Sequence, residues 1–270
     1  MKIAFIGGGN MAAALIGGLL NRGASASDLY AIDVSGDARS RLQTQFGIPT
    51  SDVADDTLRA YDAIVIAVKP QVMKDVAATL APHLSTQLVV SIAAGIRSAD
   101  IARWLNGYTR IVRAMPNTPA LIGMGMAGLV ALPGVDEAGR TLAVDVLGAV
   151  GQTVWFDEDA KIDAVTAISG SGPAYVFYFI EALQEAARRL GLSDEQGRAL
   201  ALATFGGAAQ LALQSSEPAS VLRERVTSKG GTTAAALASF ESHAIKEAIV
   251  AGVLAADARA KEMGDEFGKQ

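Results

Sequence analysis

The feature that most restricts the fold is a run of glycines directly after the first apolar segment. Ile3–Ile6 is short and fully apolar, and Gly7-Gly8-Gly9-Asn10-Met11-Ala12 follows it at the start of a segment of helical composition. This order matches G-x-G-x-x-G/A, the first turn of a dinucleotide-binding βαβ unit. There the first glycine permits a tight turn, the second lets the backbone approach a pyrophosphate, and the small Ala12 allows close packing of helix on strand.

A candidate ribose-binding acid follows the second apolar run. Asp33 comes directly after Leu29–Ile32, about 20 residues beyond the glycines, where an acidic residue commonly binds the ribose 2′-hydroxyl. Its charge would repel a 2′-phosphate and so favours NADH. Ser35, Arg39 and Arg41 offer groups that hold such a phosphate, so both cofactors stay open. The alternative is an ordinary βα turn with an unrelated surface aspartate.

Short apolar runs alternate with helical segments over the first half of the chain. The candidate strands are residues 3–6, 29–32, 63–68, 88–92 and 110–114, with shorter runs at 128–132 and 153–156. The helical segments between them are residues 11–22, 37–46, 71–81, 98–105 and 137–149. Continuously apolar strands predict a mostly parallel, doubly wound α/β sheet covered on both faces, a Rossmann domain over residues 1–158.

Beyond residue 158 the composition is helical throughout. The candidate helices are residues 161–168, 173–190, 194–215, 218–226, 232–240 and 244–267. Ser193 before Asp194, and Pro218 at the start of its segment, are helix start signals. No convincing strand is found here, so we expect an all-helical domain over residues 159–270.

Three strand ends in the first domain carry notable residues, and ligands bind at such ends in open α/β sheets. Lys69-Pro70 places a cation after one strand, and the small residues 91–95 leave room for a flat ring after the next. Met115-Pro116-Asn117-Thr118-Pro119 forms a stiff loop that presents amide and hydroxyl groups. The alternatives without a ligand are a solvated side chain at Lys69, a tightly packed turn at residues 91–95 and a proline-stiffened connector at residues 115–119. Arg113, just before that loop, equally suits a structural ion pair.

Two glycine-rich segments interrupt the helical half. Ser169-Gly170-Ser171-Gly172-Pro173 predicts a corner with a new helix at Pro173. Thr227-Ser228-Lys229-Gly230-Gly231-Thr232-Thr233 is a turn that leads into a helix. Its successive backbone N–H groups and hydroxyls suit a carboxylate, although a capping turn without a ligand is the alternative.

Several classes of protein are excluded by composition. The chain has no cysteine, only two histidines and a net charge of −5. These counts exclude a disulfide scaffold and thiol catalysis, predict no metal site, and argue against a nucleic-acid partner. Asn10 and the glycines interrupt the uncharged run over residues 3–20, and a membrane span needs about 20 apolar residues. We therefore expect no signal peptide, no membrane contact and a cytoplasmic location.

The chain resembles the pyrroline-5-carboxylate reductase family over essentially its whole length. The matching blocks, in the family's order, are residues 5–11, 67–70, 90–95, 113–119, 169–175 and 227–233. The resemblance implies a two-domain enzyme that reduces 1-pyrroline-5-carboxylate to L-proline with NADPH or NADH, the last step of proline biosynthesis. It also implies a homodimer with interlocked helical domains, commonly assembled further into decameric rings.

Residue roles carry over from the same resemblance. The cofactor set is Gly7, Gly8, Gly9, Asn10 and Met11 at the pyrophosphate, Asp33 and Ser35 at the second strand, Ala67, Val68 and Lys69 on the nicotinamide ribose side, and Ala93, Ala94 and Asn117 near the nicotinamide. The substrate set is Ser228, Lys229, Gly230, Gly231, Thr232 and Thr233, which would bind the carboxylate mainly through backbone N–H groups. Thr233 also matches the threonine that hydrogen-bonds the ring nitrogen, and it is the candidate catalytic residue.

The implied chemistry is hydride transfer to C5 of a protonated cyclic imine, because an iminium is a better hydride acceptor than a neutral imine. No general acid is obvious, and Glu217 suits either the proton path or a helix start. Two positions depart from the family: many members that prefer NADPH have Ser, Thr or Asn with a nearby Arg near Asp33, and proline is more common at Lys229.

Two other functions remain open. A related imine or β-hydroxyacid reductase would often use a lysine of the helical domain, but residues 173–190 contain none. A cofactor sensor without catalysis would have no use for the carboxylate-type turn at residues 227–233.

Overall fold

The protein is described by a computed structural model over residues 1–269. One eight-stranded sheet dominates, in the order β3-β2-β1-β4-β5-β6-β7-β8. The strands are β1 Ile3–Ile6, β2 Leu29–Ile32, β3 Thr50–Ser51, β4 Ala63–Ile66, β5 Leu88–Ser91, β6 Ile111–Met115, β7 Gly125–Ala131 and β8 Gly151–Trp155. All neighbouring pairs are parallel except β6 and β7, which are antiparallel.

Helices cover both faces of this sheet. They are α1 Asn10–Asn21, α2 Gly36–Phe46, α3 Met73–Leu80, α4 Ser98–Trp104, α5 Glu137–Gly148 and α6 Lys161–Val165. Alternate residues of each strand enter two separate apolar cores: Val65 packs on one face with Leu15 of α1, and Ile64 packs on the other with Met73 of α3. The predicted doubly wound α/β architecture is therefore confirmed.

The strand predictions differ from the structure mainly at their ends. The predicted strand 128–132 begins earlier, as β7, and the predicted strand 153–156 begins at Gly151, as β8. The two-residue strand β3 was missed because so short a pairing has no periodic signal. The antiparallel direction of β7 could not be predicted either, because an apolar run does not indicate the direction of its strand.

The helical half contains α7 Gly172–Arg189, α8 Asp194–Gln214, α9 Ala219–Arg225, α10 Thr232–Ser242 and α11 Ile245–Gly268. The chain forms two compact units: residues 1–171 with the chain from Ala255 onward, and residues 172–254. In the second unit α7 packs along α8, and Ser193 caps α8 reciprocally with Gln196. The domain boundary after residue 158 stays a prediction.

A π-helical segment, Thr166–Gly170, lies where the sequence predicted a corner. It is closed by the N–H of Ser171, which donates to the carbonyl of Thr166 at 2.8 Å. Such segments are rare and are frequently found at functional sites. The predicted corner overlaps this widened turn at Ser169 and Gly170, and α7 begins at Gly172, one residue before the predicted start at Pro173.

The helices of residues 1–269 differ in length and in apolar composition. None of them combines the length and the apolar composition that crossing a bilayer requires.

Candidate active site

The glycine turn after β1 forms an open cradle at the carboxyl edge of the sheet. Gly7 has φ +101°, and a Cβ there would lie 2.6 Å from the carbonyl oxygen of Ala67, so other residues are excluded. A Cβ at Gly9 would meet no atom within 4 Å, and no side chain caps α1 there. The N–H groups at Asn10 and Met11 therefore face an open approach, and the cradle fits the pyrophosphate of a dinucleotide.

Asp33, directly after β2, connects this cradle to the next loop. Its Oδ2 accepts the N–H of Gly8 at 2.6 Å, and its Oδ1 accepts the N–H of Ser35 at 2.8 Å. Arg39 donates to the carbonyl of Asp33 at 2.6 Å, and Arg41 donates to the carbonyl of Gly8 at 2.6 Å. The carboxylate thus fixes the backbone of the turn, and two guanidinium groups bind backbone carbonyls of the same region.

The ends of β4 and β5 lie next in the sheet. Ala67 donates its N–H to the carbonyl of Ile6 at 2.8 Å, which ties the end of β4 to β1. Val68 is half-buried and Lys69 is exposed. After β5, Ala93 is buried in the core, whereas Ala94 is half-buried. Since neighbouring strands lie about 4.8 Å apart, these ends form a continuous edge beside the cradle.

Asn117, in the loop after β6, has both ends of its side-chain amide engaged. Its Oδ1 accepts the N–H of Met126 at 2.9 Å, and its Nδ2 lies 3.1 Å from Oγ of Ser169 in the π-helical segment. Gly170 packs on Met115, because a Cβ at Gly170 would lie 2.6 Å from the methyl carbon of Met115. The loop after β6 therefore docks on the π-helical segment.

A buried ion cluster supports the same loop from below. Arg113 of β6 is 1% exposed, and it contacts Asp159 Oδ2 at 2.6 Å and Asp163 Oδ1 at 3.0 Å. Asp159 also accepts the N–H and the hydroxyl of Ser98 at the start of α4. Arg113 is therefore a structural ion-pair partner, which is one of the alternatives that the sequence left open.

The predicted substrate turn lies in the second unit. The N–H of Gly231 donates to the carbonyl of Ser228 at 3.0 Å, and Gly230 has φ +74°. This combination defines a type II turn with Lys229, which is exposed, as its second residue. No side chain caps α10 at Gly231, so the N–H groups at its start, from Thr232 onward, are open to a carboxylate.

Thr233 lies in the first turn of α10 and is half-buried. Glu217, the candidate for a proton path, is instead engaged with Arg225, both of whose terminal nitrogens lie 2.5 Å from its carboxylate oxygens. This bidentate pair brackets α9 and fits a structural role at the helix start.

The structure places the predicted cofactor residues along neighbouring strand ends of the first unit, and the predicted substrate residues together in one turn of the second unit. Sequence reasoning missed Asp159, Asp163 and the contact of Asn117 with Ser169. The last pair is 52 residues apart in the chain, and no local pattern signals such a contact.

Two family models match the chain. The model described as "NADP oxidoreductase coenzyme F420-dependent" matches residues 2–95, and the model described as "Pyrroline-5-carboxylate reductase dimerisation" matches residues 159–263. A pyrroline-5-carboxylate reductase of Pseudomonas aeruginosa is 44% identical over 269 residues, which is 99% of this chain and 98% of the relative. That of Haemophilus influenzae is 43% identical and covers 97% of both chains.

Solved structures agree with these relatives. A pyrroline-5-carboxylate reductase from Coxiella burnetii matches with a TM-score of 0.91 and 39% identity, over 97% of this chain and 98% of that one. A pyrroline carboxylate reductase from Plasmodium falciparum, solved with NADP bound, matches with a TM-score of 0.87 and 31% identity over 98% of both.

The doubly wound sheet, the phosphate cradle after β1 and the helical dimerisation region define an oligomeric NAD(P)-dependent oxidoreductase. Whole-chain identity of 44% makes the class more specific. The chain belongs to the pyrroline-5-carboxylate reductase family, as its motifs predicted.

Proposed function

We propose that this protein reduces 1-pyrroline-5-carboxylate to L-proline with NADPH or NADH, the last step of proline biosynthesis. One observation carries the proposal: a single chain combines an open phosphate cradle after β1 with an uncapped turn and helix start at residues 228–233. The first suits a dinucleotide and the second suits a small carboxylate. Whole-chain identity to reductases of this name supports the pairing.

The cofactor would bind along the carboxyl edge of the sheet, and it supplies the hydride. Its proposed contacts are Gly7, Gly8, Gly9, Asn10, Met11, Asp33, Ser35, Ala67, Val68, Lys69, Ala93, Ala94 and Asn117. The carboxylate of Asp33 already accepts two backbone N–H groups, and Arg39 and Arg41 bind the backbone carbonyls of Asp33 and Gly8, which brings positive charge to this loop. These contacts support acceptance of a 2′-phosphate as well as a 2′-hydroxyl.

The substrate would be held by its carboxylate. The proposed contacts are Ser228, Lys229, Gly230, Gly231, Thr232 and Thr233, mostly through backbone N–H groups. These N–H groups have no side-chain cap, and the positive end of α10 adds to their attraction for an anion. The hydroxyl of Thr233, in the first turn of α10, would orient the ring through its nitrogen, so that the charged imine is presented in one pose.

Substitution of Thr233 tests this assignment. We expect Thr233→Ala to lower turnover by about 10- to 1,000-fold, the effect of removing one transition-state donor, while cofactor affinity is retained. Thr233→Ser should recover most of the loss. Thr141→Ala is the control, because the Thr141 hydroxyl only donates to the helix carbonyl of Glu137. Near-normal turnover in Thr233→Ala would refute the role.

A substrate panel separates the proposed reaction from its alternatives. Oxidation of NADPH and NADH is followed with pyrroline-5-carboxylate, pyrroline-2-carboxylate and a small β-keto acid. Turnover of the first alone supports the proposal, and preference for either of the others identifies a related reductase. Cofactor binding without oxidation in all three assays identifies a sensor.

The proposal extends to assembly and location. We propose a homodimer through the helical half, with decameric rings of dimers, acting in the cytoplasm without a nucleic-acid or membrane partner. Large exposed apolar side chains on α7 and α8, such as Phe177 and Leu211, support pairing through these helices. The net charge of −5 is unfavourable for contact with nucleic acid.

A further inference from the structure

The side-chain amide of Asn117 has a defined orientation. Met126 donates its backbone N–H to one end of this amide at 2.9 Å, and a backbone N–H can only donate. That end must therefore be Oδ1, and Nδ2 must face Ser169 Oγ at 3.1 Å. An amide nitrogen has no acceptor capacity, so the Ser169 oxygen accepts this bond. The hydroxyl proton of Ser169 is thus not used toward Asn117.

The Ser169 hydroxyl has a different partner from that of its neighbour Thr166. Thr166, in the same π-helical segment, donates its hydroxyl to the carbonyl of Ile162 at 2.8 Å, which is the usual use of a helical hydroxyl. Ser169 is half-buried, and its oxygen accepts from the Asn117 amide. A hydroxyl whose oxygen accepts from an amide N–H directs its own proton away from that amide, where it can be donated to a ligand.

The position of Ser169 in the fold identifies the ligand. Asn117 follows β6, which lies three strands from β1, or about 14 Å along the carboxyl edge. Asp33 marks the adenosine side of the cradle, because it follows β2 on the opposite side of β1. The nicotinamide half of a dinucleotide must then extend across β4 and β5 toward β6.

We propose that Ser169 donates its hydroxyl proton to the carboxamide oxygen of the bound nicotinamide, and that Asn117 is the positioning residue that frees this proton. The inference rests on the proposed cofactor site and refines it, since Asn117 acts through Ser169 and not by direct contact of its amide. A hydrogen bond to the carboxamide oxygen fixes the rotation of that group and so limits which ring face is presented.

Cofactor binding tests the contact without turnover. NADPH and its thionicotinamide analogue, whose sulfur is a weak acceptor, are titrated by calorimetry into the wild type, Ser169→Ala and Ser169→Thr. We expect the wild type to bind NADPH about 3- to 10-fold more tightly than the thionicotinamide analogue, the value of one neutral hydrogen bond. Ser169→Ala should bind NADPH more weakly by that factor and should bind NADPH and the analogue equally. Ser169→Thr should keep the preference for NADPH over the analogue.

The control is Thr79→Ala, which removes an exposed hydroxyl that donates to the carbonyl of Val76. It should leave both affinities unchanged. If Ser169→Ala weakens NADPH and the analogue to the same extent, or weakens neither, the contact is absent and the inference is overturned.

The role of Asn117 has a separate signature. In Asn117→Asp at neutral pH, the carboxylate still accepts the N–H of Met126 but now also accepts the proton of Ser169. We expect loss of the cofactor preference although Ser169 is present, and no further loss in the double variant with Ser169→Ala. Additive losses, or a preference that persists at neutral pH, would overturn the positioning role.

The proposed function fails independently of this inference. Absence of pyrroline-5-carboxylate turnover in the wild type would reject the function. The calorimetric comparison of NADPH with its analogue in the wild type and the Ser169 variants would still test the contact of Ser169. Normal turnover together with equal binding of NADPH and the analogue by the wild type and Ser169→Ala would reject only the inference.

Discussion

At the scale of single residues, the backbone conformation of Gly230 determines the geometry of the proposed substrate turn. Gly230 is the third residue of a type II turn, a position that requires positive φ, and it has φ +74°. A side chain there costs about 1–2 kcal/mol through contact of Cβ with the backbone. The turn would relax away from the geometry that groups its N–H donors.

We expect Gly230→Ala to lower kcat/KM for pyrroline-5-carboxylate by about 5- to 30-fold, which corresponds to that strain. The matched control is Gly191→Ala at the end of α7, where φ is +84° and a Cβ meets no atom within 4 Å. It should lower stability to a similar extent and leave KM unchanged. Equal kinetic effects of the two variants, measured by initial rates, would contradict a local role for the turn.

Sequence identifies residues of this kind and misses others for a physical reason. Gly7 could be predicted as a special position because it begins the G-x-G-x-x-A motif, and Gly230 lies in a glycine-rich turn that could be predicted only as a whole. The donor state of Ser169 could not, since it depends on Asn117 and on the N–H of Met126, which are distant in the chain. Hydrogen-bond direction is a property of the folded contact.

At the scale of elements, one buried arginine joins three of them. Arg113 in β6 is paired with Asp163 in α6 and with Asp159 before it, and Asp159 accepts from Ser98 in α4. Both Arg113 and Asp163 have side chains less than 5% exposed. Loss of the guanidinium would leave two carboxylates with no countercharge, which costs more than the pair contributes.

We expect Arg113→Gln to lower the free energy of unfolding by about 3–5 kcal/mol and the melting temperature by roughly 6–20 °C. Arg113→Met with Asp163→Asn should recover part of the loss, because one buried charge is removed with its partner. Arg59→Gln, at a half-exposed ion pair, should shift the melting temperature far less. Similar shifts for Arg113→Gln and Arg59→Gln in thermal melts would show that the buried cluster contributes no more to stability than an exposed ion pair.

The elements themselves were largely readable from the sequence. Continuous apolar runs such as Ile3–Ile6 and residues 88–90 are buried on both faces, and this burial produces the pattern. The antiparallel direction of β7 and the π-helical segment Thr166–Gly170 were not predictable. Strand direction and one extra residue in a turn do not change which residues are apolar.

At the scale of the whole molecule, the helical unit has more apolar surface than a monomer would keep. On α8, Leu200 is 59% and Leu211 is 69% exposed, while Leu202 and Leu213 lie on another side of the same helix. A helix that is apolar on all sides is normally buried, and only Gly197 and Ala201 of α8 are buried among its described residues. A second copy of the chain, as in the matched dimerisation family, would cover this surface.

Leu200 and Leu211 are eleven residues apart, close to three helical turns, so they lie on one face of α8. We expect Leu200→Glu with Leu211→Glu to weaken the dimer by at least about 100-fold, because each buried leucine contributes about 1.5–3 kcal/mol and a glutamate there would be buried unpaired. Sedimentation at several concentrations should show monomer, with loss of reductase activity if the dimer completes the site. Val53→Glu, at a position 60% exposed in the first unit, is the control and should remain oligomeric. An unchanged oligomer in the double variant would place the interface on another face of the helical unit.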